Sequence, residues 1–91
     1  MGVEEALNRH LMIYAIRPDY PYEMRHRGVG GSGVFELRFN FETGHLREIH
    51  IAKSTGSPML DRHAVKSLKF WKAKPRSVET LLVPVTFKPR R

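Results

Sequence analysis

The side chains that could do acid–base or metal chemistry are few and scattered. The aspartates are Asp19 and Asp61, cysteine is absent, and the five histidines are spread along the chain as His10, His26, His45, His50 and His63. None of the histidine spacings matches a metal-binding helix motif such as H-E-x-x-H. The lack of cysteine excludes a thiolate nucleophile, a disulfide and a sulfur zinc site. We therefore predict that the protein is not an enzyme and has neither a metal nor a cofactor.

A glycine-rich stretch, Gly28 to Gly33, is the one candidate phosphate-binding motif. It matches the pattern G-x-G-x-x-G. In a dinucleotide-binding fold that pattern follows a strand and opens a helix. Here it follows a predicted helix and precedes a predicted strand, so we interpret it as a flexible connector.

The composition predicts one ordinary globular domain with a basic surface. The chain has 91 residues, 41% of them hydrophobic, and a formal net charge of +7. No apolar run reaches the roughly 18 residues of a membrane-spanning helix, so we expect any membrane anchor to lie outside this sequence. The positive charge favours an acidic partner such as nucleic acid, anionic lipid or an acidic peptide. The basic residues, however, are spread from Arg9 to Arg91.

The first part of the chain predicts two short helices separated by an extended segment. Leu7, Leu11 and Tyr14 have helical spacing, which favours a helix from Glu4 to about Tyr14, although residues 11–14 fit a strand equally well. Pro18 ends this element, because proline forces the residue before it out of the α region. A second helix is expected to start at Pro21 and to stop at Gly28.

A β-hairpin is predicted next. In the strand from Val34 to Phe41, alternate residues are apolar and face one side, namely Phe35, Leu37, Phe39 and Phe41. A turn at Glu42-Thr43-Gly44 leads to a return strand, Leu46 to Lys53, whose apolar phase shifts near Arg47 and indicates a bulge.

A longer helix follows the hairpin and supplies the rest of the core. Ser57-Pro58 is a strong helix start, with a capping serine before a proline in the first turn. Asp61 then falls in the first turn, where a carboxylate is favoured by the helix dipole. An apolar stripe on this helix packs against the first strand in the predicted core, which consists of Phe35, Leu37, Phe39, Leu60, Ala64, Leu68 and Trp71.

The last strand, Leu81 to Phe87, is interrupted by Pro84, which has no backbone N–H to donate. The helix returns the chain so that this strand can pair antiparallel with the first strand. The alternative position, beside the second strand, would make a parallel pair that needs a right-handed crossover. The predicted fold class is α+β, a three-stranded antiparallel sheet in the order second, first, third with helices packed on one face. A proline is tolerated on an edge strand when it faces outward, so we expect the open edge to be the row Leu82, Pro84 and Thr86. Such an edge can be protected by proline or can accept an extended peptide.

A chain-long set of motifs resembles the C-terminal domain of the TonB family. The motifs run in order along the sequence: Tyr20-Pro21, Met24 and Gly28, Gly33-x-Phe35-x-Leu37-x-Phe39-x-Phe41 and Gly44, Ser54-x-Gly56, Leu60-Asp61-x-x-Ala64, Trp71-x-x-x-Pro75 and Val83-Pro84-Val85-x-Phe87. They span roughly Arg17 to Lys88. This divides the chain into an N-terminal lead-in, residues 1–16, that is helical or extended, and a TonB C-terminal-like domain, residues 17–91.

The resemblance implies a periplasmic domain of an inner-membrane energy transducer. Such domains bind the Ton box of outer-membrane transporters by β-strand addition to their last strand, and they transmit the work of a proton-driven motor through a segment absent from this chain. The resemblance, together with the open edge, gives ten partner-binding residues: Arg17, Pro18, Asp19, Tyr20, Leu82, Val83, Pro84, Val85, Thr86 and Phe87.

The sequence departs from the family pattern in its helix packing and leaves two other functions open. Ala73 replaces a frequent aromatic residue, and we expect Phe70 to compensate for it. The alternatives are a TolA-like periplasmic interaction domain and a small nucleic-acid-binding domain. Against nucleic acid, the outward face of the first strand carries Glu36 and Arg38 and lacks the aromatic residues that stack on bases. An open edge also permits a homodimer by strand exchange.

Overall fold

The computed structural model describes residues 1–89, so residues 90 and 91 of the predicted domain lie outside the described part. The elements follow in the order α1 (Val3–Asn8), β1 (Met12–Tyr14), α2 (Tyr22–His26), β2 (Gly31–Phe39), β3 (Leu46–Lys53), α3 (Pro58–Leu68), β4 (Lys72–Ala73) and β5 (Thr80–Phe87).

The main sheet has three antiparallel strands in the order β3-β2-β5. This confirms the predicted α+β class. It also confirms the predicted strand order, because the first predicted strand (β2) lies between the second (β3) and the third (β5). Strand β5 pairs with β2 without a register shift, from Gly31 opposite Phe87 to Arg38 opposite Thr80. The sheet therefore ends on one side at β5.

The hairpin contains the bulge that the shift in apolar phase indicated. Arg38 pairs with Glu48 and Phe39 pairs with Leu46, so Arg47 is left without an opposite residue. Strand β2 ends at Phe39, and Phe41 is 41% exposed in the turn. The expectation that Phe41 belongs to the core face is wrong because the turn begins before it: the side chain of Asn40 accepts hydrogen bonds from the amides of Glu42 and Thr43.

One face of the main sheet packs against the helices and forms the core. The seven residues predicted for the core are all buried, with Trp71 at 4% exposure and Phe35 fully covered. Trp71, however, follows α3 instead of lying on it, since the helix ends at Leu68. Phe70 does not compensate for the small Ala73: Ala73 is buried and Phe70 is 68% exposed.

A second, two-stranded sheet connects the lead-in to the segment after α3. Strand β1 pairs antiparallel with β4, with Met12 opposite Ala73. The amide of Lys74 also donates to the carbonyl of Leu11 at 2.8 Å. The helix predicted from Glu4 to Tyr14 thus ends at Asn8, and His10, just after it, adopts a positive φ of 55°. The second half of the predicted helix is the strand β1, because pairing with β4 supplies its backbone hydrogen bonds. The boundary at residue 17 stays a prediction.

The second half of the glycine-rich stretch is strand and not a flexible connector. Gly31, Ser32 and Gly33 belong to β2 and pair with Phe87, Thr86 and Val85. A Cβ at Gly33 would lie 2.7 Å from the carbonyl oxygen of Lys53. Glycine is needed there because the neighbouring backbone occupies the space of a side chain.

Candidate functional site

A groove runs along the outer edge of β5, with a volume of about 800 Å³. Its walls come from three parts of the chain: the edge strand, the extended segment Ala15 to Tyr20, and α1. Nine of the ten predicted partner-binding residues line it: Arg17, Pro18, Tyr20, Leu82, Val83, Pro84, Val85, Thr86 and Phe87. Asp19, the tenth, is exposed and does not line the groove.

The backbone on the outer side of β5 has the orientation expected from Pro84. The amide of Leu82 donates to the carbonyl oxygen of Met1 at 2.9 Å, on the side away from β2. Because amide directions alternate along a strand, the backbone groups of Pro84 and Thr86 point to the same side. Pro84 thus costs the sheet no hydrogen bond with β2, and the outer row retains donors at Leu82 and Thr86.

Side chains on β5 alternate between the core and the solvent. Leu81, Val83, Val85 and Phe87 are buried, and the residues between them are exposed, with Leu82 at 40%. On the solvent side, the hydroxyl of Thr86 lies 3.1 Å from that of Ser32 on β2. An extended segment in the groove would therefore meet an apolar surface at Leu82 and Pro84 and a hydroxyl at Thr86.

The segment opposite β5 is fixed at both ends. At one end the indole Nε1 of Trp71 donates to the carbonyl oxygen of Ile16 at 2.7 Å. At the other end the hydroxyl of Tyr20 donates to the carbonyl of Val29, and its ring packs edge-on against Phe87 with 5.3 Å between the centroids. The groove wall from Ile16 to Tyr20 is thus held in place without secondary structure of its own.

A hydrogen-bonded loop at the start of α3 explains two of the sequence motifs. The carboxylate of Asp61 accepts hydrogen bonds from the Ser54 hydroxyl and from both the amide and the hydroxyl of Thr55. Partial burial acts to raise the pKa of Asp61, but the hydrogen bonds from Ser54 and Thr55 outweigh it and hold this pKa below its usual range. Asp61 therefore holds the β3–α3 loop together besides lying in the first turn of the helix.

The solvent face of the sheet carries an exposed charge network away from the groove. Arg38 forms ion pairs with Glu36 at 2.9 Å and with Glu48 at 3.4 Å. A hydrogen bond from His50 is the main reason that the pKa of Glu48 lies below its usual value. These charges neutralise one another, so this face is not a uniformly basic surface.

The described part of the chain has neither a cluster of metal ligands nor a helix suited to spanning a membrane. Across residues 1–89, no group of three or more acidic or histidine side chains is arranged to hold a metal ion. None of the helices in this range combines the length and the apolar character that crossing a bilayer requires.

Sequence reasoning missed the contribution of the N-terminal residues to the groove. Gly2, Val3, Glu4 and Leu7 line it, as do Ala15, Val34 and Trp71. The signal in the sequence was weak, because a six-residue helix shows less than two turns of apolar periodicity. Trp71 was placed in the core, and it contributes both to the core and to the groove.

Comparison with known proteins places the fold and the family. A family model described as the Gram-negative bacterial TonB protein C-terminal matches residues 16–89. Protein TonB of Vibrio cholerae serotype O1 is 25% identical over 84 residues, which cover 86% of this chain and 34% of the relative. The chain thus spans about a third of that curated relative's length. The solution NMR structure of the Pseudomonas aeruginosa TonB C-terminal domain matches with a TM-score of 0.65 at 20% identity, over 88% of this chain and 84% of that one. Because the family model covers most of the sequence, this chain belongs to the TonB C-terminal domain family.

Proposed function

We propose that this protein is a periplasmic domain of a TonB-type energy transducer, and that it binds the Ton box of outer-membrane transporters by β-strand addition. The observation that carries the proposal is the outer row of β5. It ends the sheet, it directs the backbone amides of Leu82 and Thr86 away from β2, and it borders a groove of about 800 Å³.

The proposed binding is firm but reversible. A backbone hydrogen bond contributes about 0.5–1.5 kcal/mol net, and the docking segment finds no donor at Pro84. Its main-chain bonds then come chiefly from the backbone groups of Leu82 and Thr86. Side-chain contacts with Arg17, Pro18 and Tyr20 across the groove supply the choice of partner.

Transmission of force is the second half of the proposal. Hydrogen bonds in a strand pair lie across the strand direction, so a pull along the docked segment is shared among several of them. The hydrogen bonds of Tyr20 and Trp71 hold the opposite wall of the groove. The domain would be anchored in the inner membrane, and would meet its proton-driven motor, through parts of the protein outside this sequence.

The test is a titration of the protein with a synthetic Ton-box peptide, followed through backbone amide NMR signals. We expect shifts at Leu82 to Lys88 and at Asp19 and Tyr20. Shifts confined to Arg62, Lys66 and Lys69 on α3 would contradict strand addition and would favour binding to a basic helix surface.

Two N-methylated peptides make the test specific for strand addition. In one peptide every even residue is N-methylated and in the other every odd residue. Only one of these sets directs its amides toward β5, so one peptide should lose binding and the other should retain it. An equal effect of the two peptides would contradict the proposal.

The same edge leads us to propose that two copies can form a homodimer by strand exchange. The measurement is the molecular mass in solution over a range of protein concentrations, with and without the Ton-box peptide. We expect the peptide to shift the population toward the monomer, because both compete for β5.

A further inference from the structure

The outer edge of β5 is already occupied at one end by the protein's own N-terminal segment, residues 1–8. The amide of Leu82 donates to the carbonyl oxygen of Met1 at 2.9 Å, and Gly2 forms a parallel β-bridge with Leu82. The first residues of the chain thus pair with β5 in the way a short added strand would.

Packing of α1 holds this pairing in place. Ala6 is fully buried and belongs to the hydrophobic core, and Val3 packs against the same core. Helix α1 contacts β5, and Gly2, Glu4 and Leu7 border the groove. The N-terminal segment is therefore a built part of this face, seated by a buried side chain and by a backbone hydrogen bond.

The segment and an added strand compete for the same atom. The outer row of β5 consists of Leu82, Pro84 and Thr86, and Pro84 has no amide hydrogen to donate. The amides of Leu82 and Thr86 are the donors that the row retains. The N-terminal segment uses the first of these. A partner strand that extends as far as Leu82 must displace Met1 and Gly2.

We propose that residues 1–8 are an autoinhibitory segment that closes the outer edge of β5 and opens when a partner strand binds. This inference rests on the proposed function and concerns the regulation of the same groove. The observed affinity of a partner is then the intrinsic affinity multiplied by the fraction of molecules in which the segment is open. Changes that open it tighten binding without touching the residues that contact the partner.

The first experiment opens the segment in the full chain. Ala6→Glu puts a charge at a fully buried position and should release α1 from the core. Asn8→Glu adds the same charge at an exposed position of the same helix and is the matched control. We expect Ala6→Glu to bind the Ton-box peptide roughly tenfold or more tightly than the original protein, and Asn8→Glu to bind as the original does. Equal affinities of all three would overturn the proposal.

The second experiment closes the segment reversibly, which covers the case in which Ala6→Glu fails to fold. The chain has no cysteine, Gly2 and Leu82 are bridge partners, and a Cβ at Gly2 meets no atom within 4 Å. Neighbouring strands lie about 4.7–4.9 Å apart, which is within the Cα separation of about 4.4–6.8 Å that a disulfide requires. Oxidation of the double variant Gly2→Cys with Leu82→Cys should therefore lower its affinity for the peptide at least tenfold relative to its own reduced form. Equal binding in the two redox states would overturn the proposal.

Amide hydrogen exchange at Leu82 separates this inference from the proposed function. Exchange should be slow in the original protein and markedly faster in Ala6→Glu, whatever the peptide does. If the peptide binds none of the variants while Leu82 exchange changes as expected, the Ton-box function is wrong and the segment still shields the edge. Fast exchange at Leu82 in the original protein would overturn the inference and leave the function standing.

Discussion

The indole Nε1 of Trp71 donates a 2.7 Å hydrogen bond to the carbonyl oxygen of Ile16, 55 residues earlier in the chain. Trp71 is 4% exposed and borders the groove along β5. The bond joins the segment after α3 to the start of the groove wall. A core residue thereby fixes the position of residues that we propose to bind a partner.

Replacing Trp71 should be costly because it removes both a large buried side chain and this hydrogen bond. Trp71→Ala is expected to lower the free energy of unfolding by about 3–5 kcal/mol, and Trp71→Phe, which loses the N–H donor and part of the buried ring system, by about 1–3 kcal/mol. The measurement is denaturant unfolding followed by circular dichroism, since Trp71 is the single tryptophan. Phe70→Ala is the control, with an expected change under about 0.5 kcal/mol at its exposed position. A loss below about 1 kcal/mol for Trp71→Ala would contradict the core role.

Asp61 makes stability depend on pH at the acidic end. Its pKa is lower in the folded protein than in the unfolded chain, so its stabilisation is fully present above the unfolded value and is lost as the pH falls through the folded value. At pH 7, Asp61→Asn should cost about 1–2 kcal/mol, and this difference should shrink below about pH 4.

The measurement is the free energy of unfolding of both proteins from pH 7 down to the acid range. Asp19→Asn, at an exposed aspartate, is the control and should change it by less than about 0.5 kcal/mol. If the difference in the free energy of unfolding between the original protein and Asp61→Asn stays constant into strong acid, the carboxylate charge is not responsible for it.

A side chain at position 33 would clash with the neighbouring backbone, so Gly33 is expected to be needed for stability. Gly33→Ala places a methyl group 2.7 Å from the carbonyl oxygen of Lys53 and 3.0 Å from the amide nitrogen of Thr55. Such overpacking is expected to cost about 1–3 kcal/mol. Gly2→Ala, where a Cβ meets no atom within 4 Å, should be close to neutral. Thermal unfolding of the two variants decides the matter, and equal melting temperatures would exclude a steric role for Gly33.

Thr86 supplies a donor of the outer row that we propose for partner binding. Thr86→Pro removes its amide, and because this amide points away from β2 the change costs no hydrogen bond with β2. Loss of one hydrogen bond of about 0.5–1.5 kcal/mol should weaken Ton-box peptide binding by roughly 2- to 12-fold. Thr86→Val keeps the amide and loses the hydroxyl near Ser32, so it serves as the control. Calorimetric titration of both variants gives the comparison, and equal affinities would argue against a bond to the Thr86 amide.

Local sequence signals are enough to predict the strands of the main sheet and the start of α3, because these signals act within a few residues of one another. Alternation from Phe35 to Phe39 predicts a strand with one buried face, and Ser57-Pro58 predicts the start of α3, where the Ser57 hydroxyl accepts from the amide of Leu60. Pro84 predicts the outward row of β5, since a residue without an N–H cannot serve the paired side. These are properties of single residues and of local periodicity.

Other parts of the fold depend on partners that are distant in the sequence, and their conformation follows from tertiary packing. Residues 11–14 fit a helix or a strand, and pairing with β4 selects the strand. Gly31 to Gly33 resembled a connector in the sequence. In the structure this segment belongs to β2, because it pairs with β5 on one side and lies close to the backbone of Lys53 on the other. The pairing of the N-terminal segment with Leu82 has only a weak local signal, because the hydrogen bond from Leu82 to Met1 joins residues that are far apart in the sequence. Such long-range contacts follow from the packing of the whole molecule. The wall that α1 contributes to the groove could therefore not be predicted from spacing and residue type.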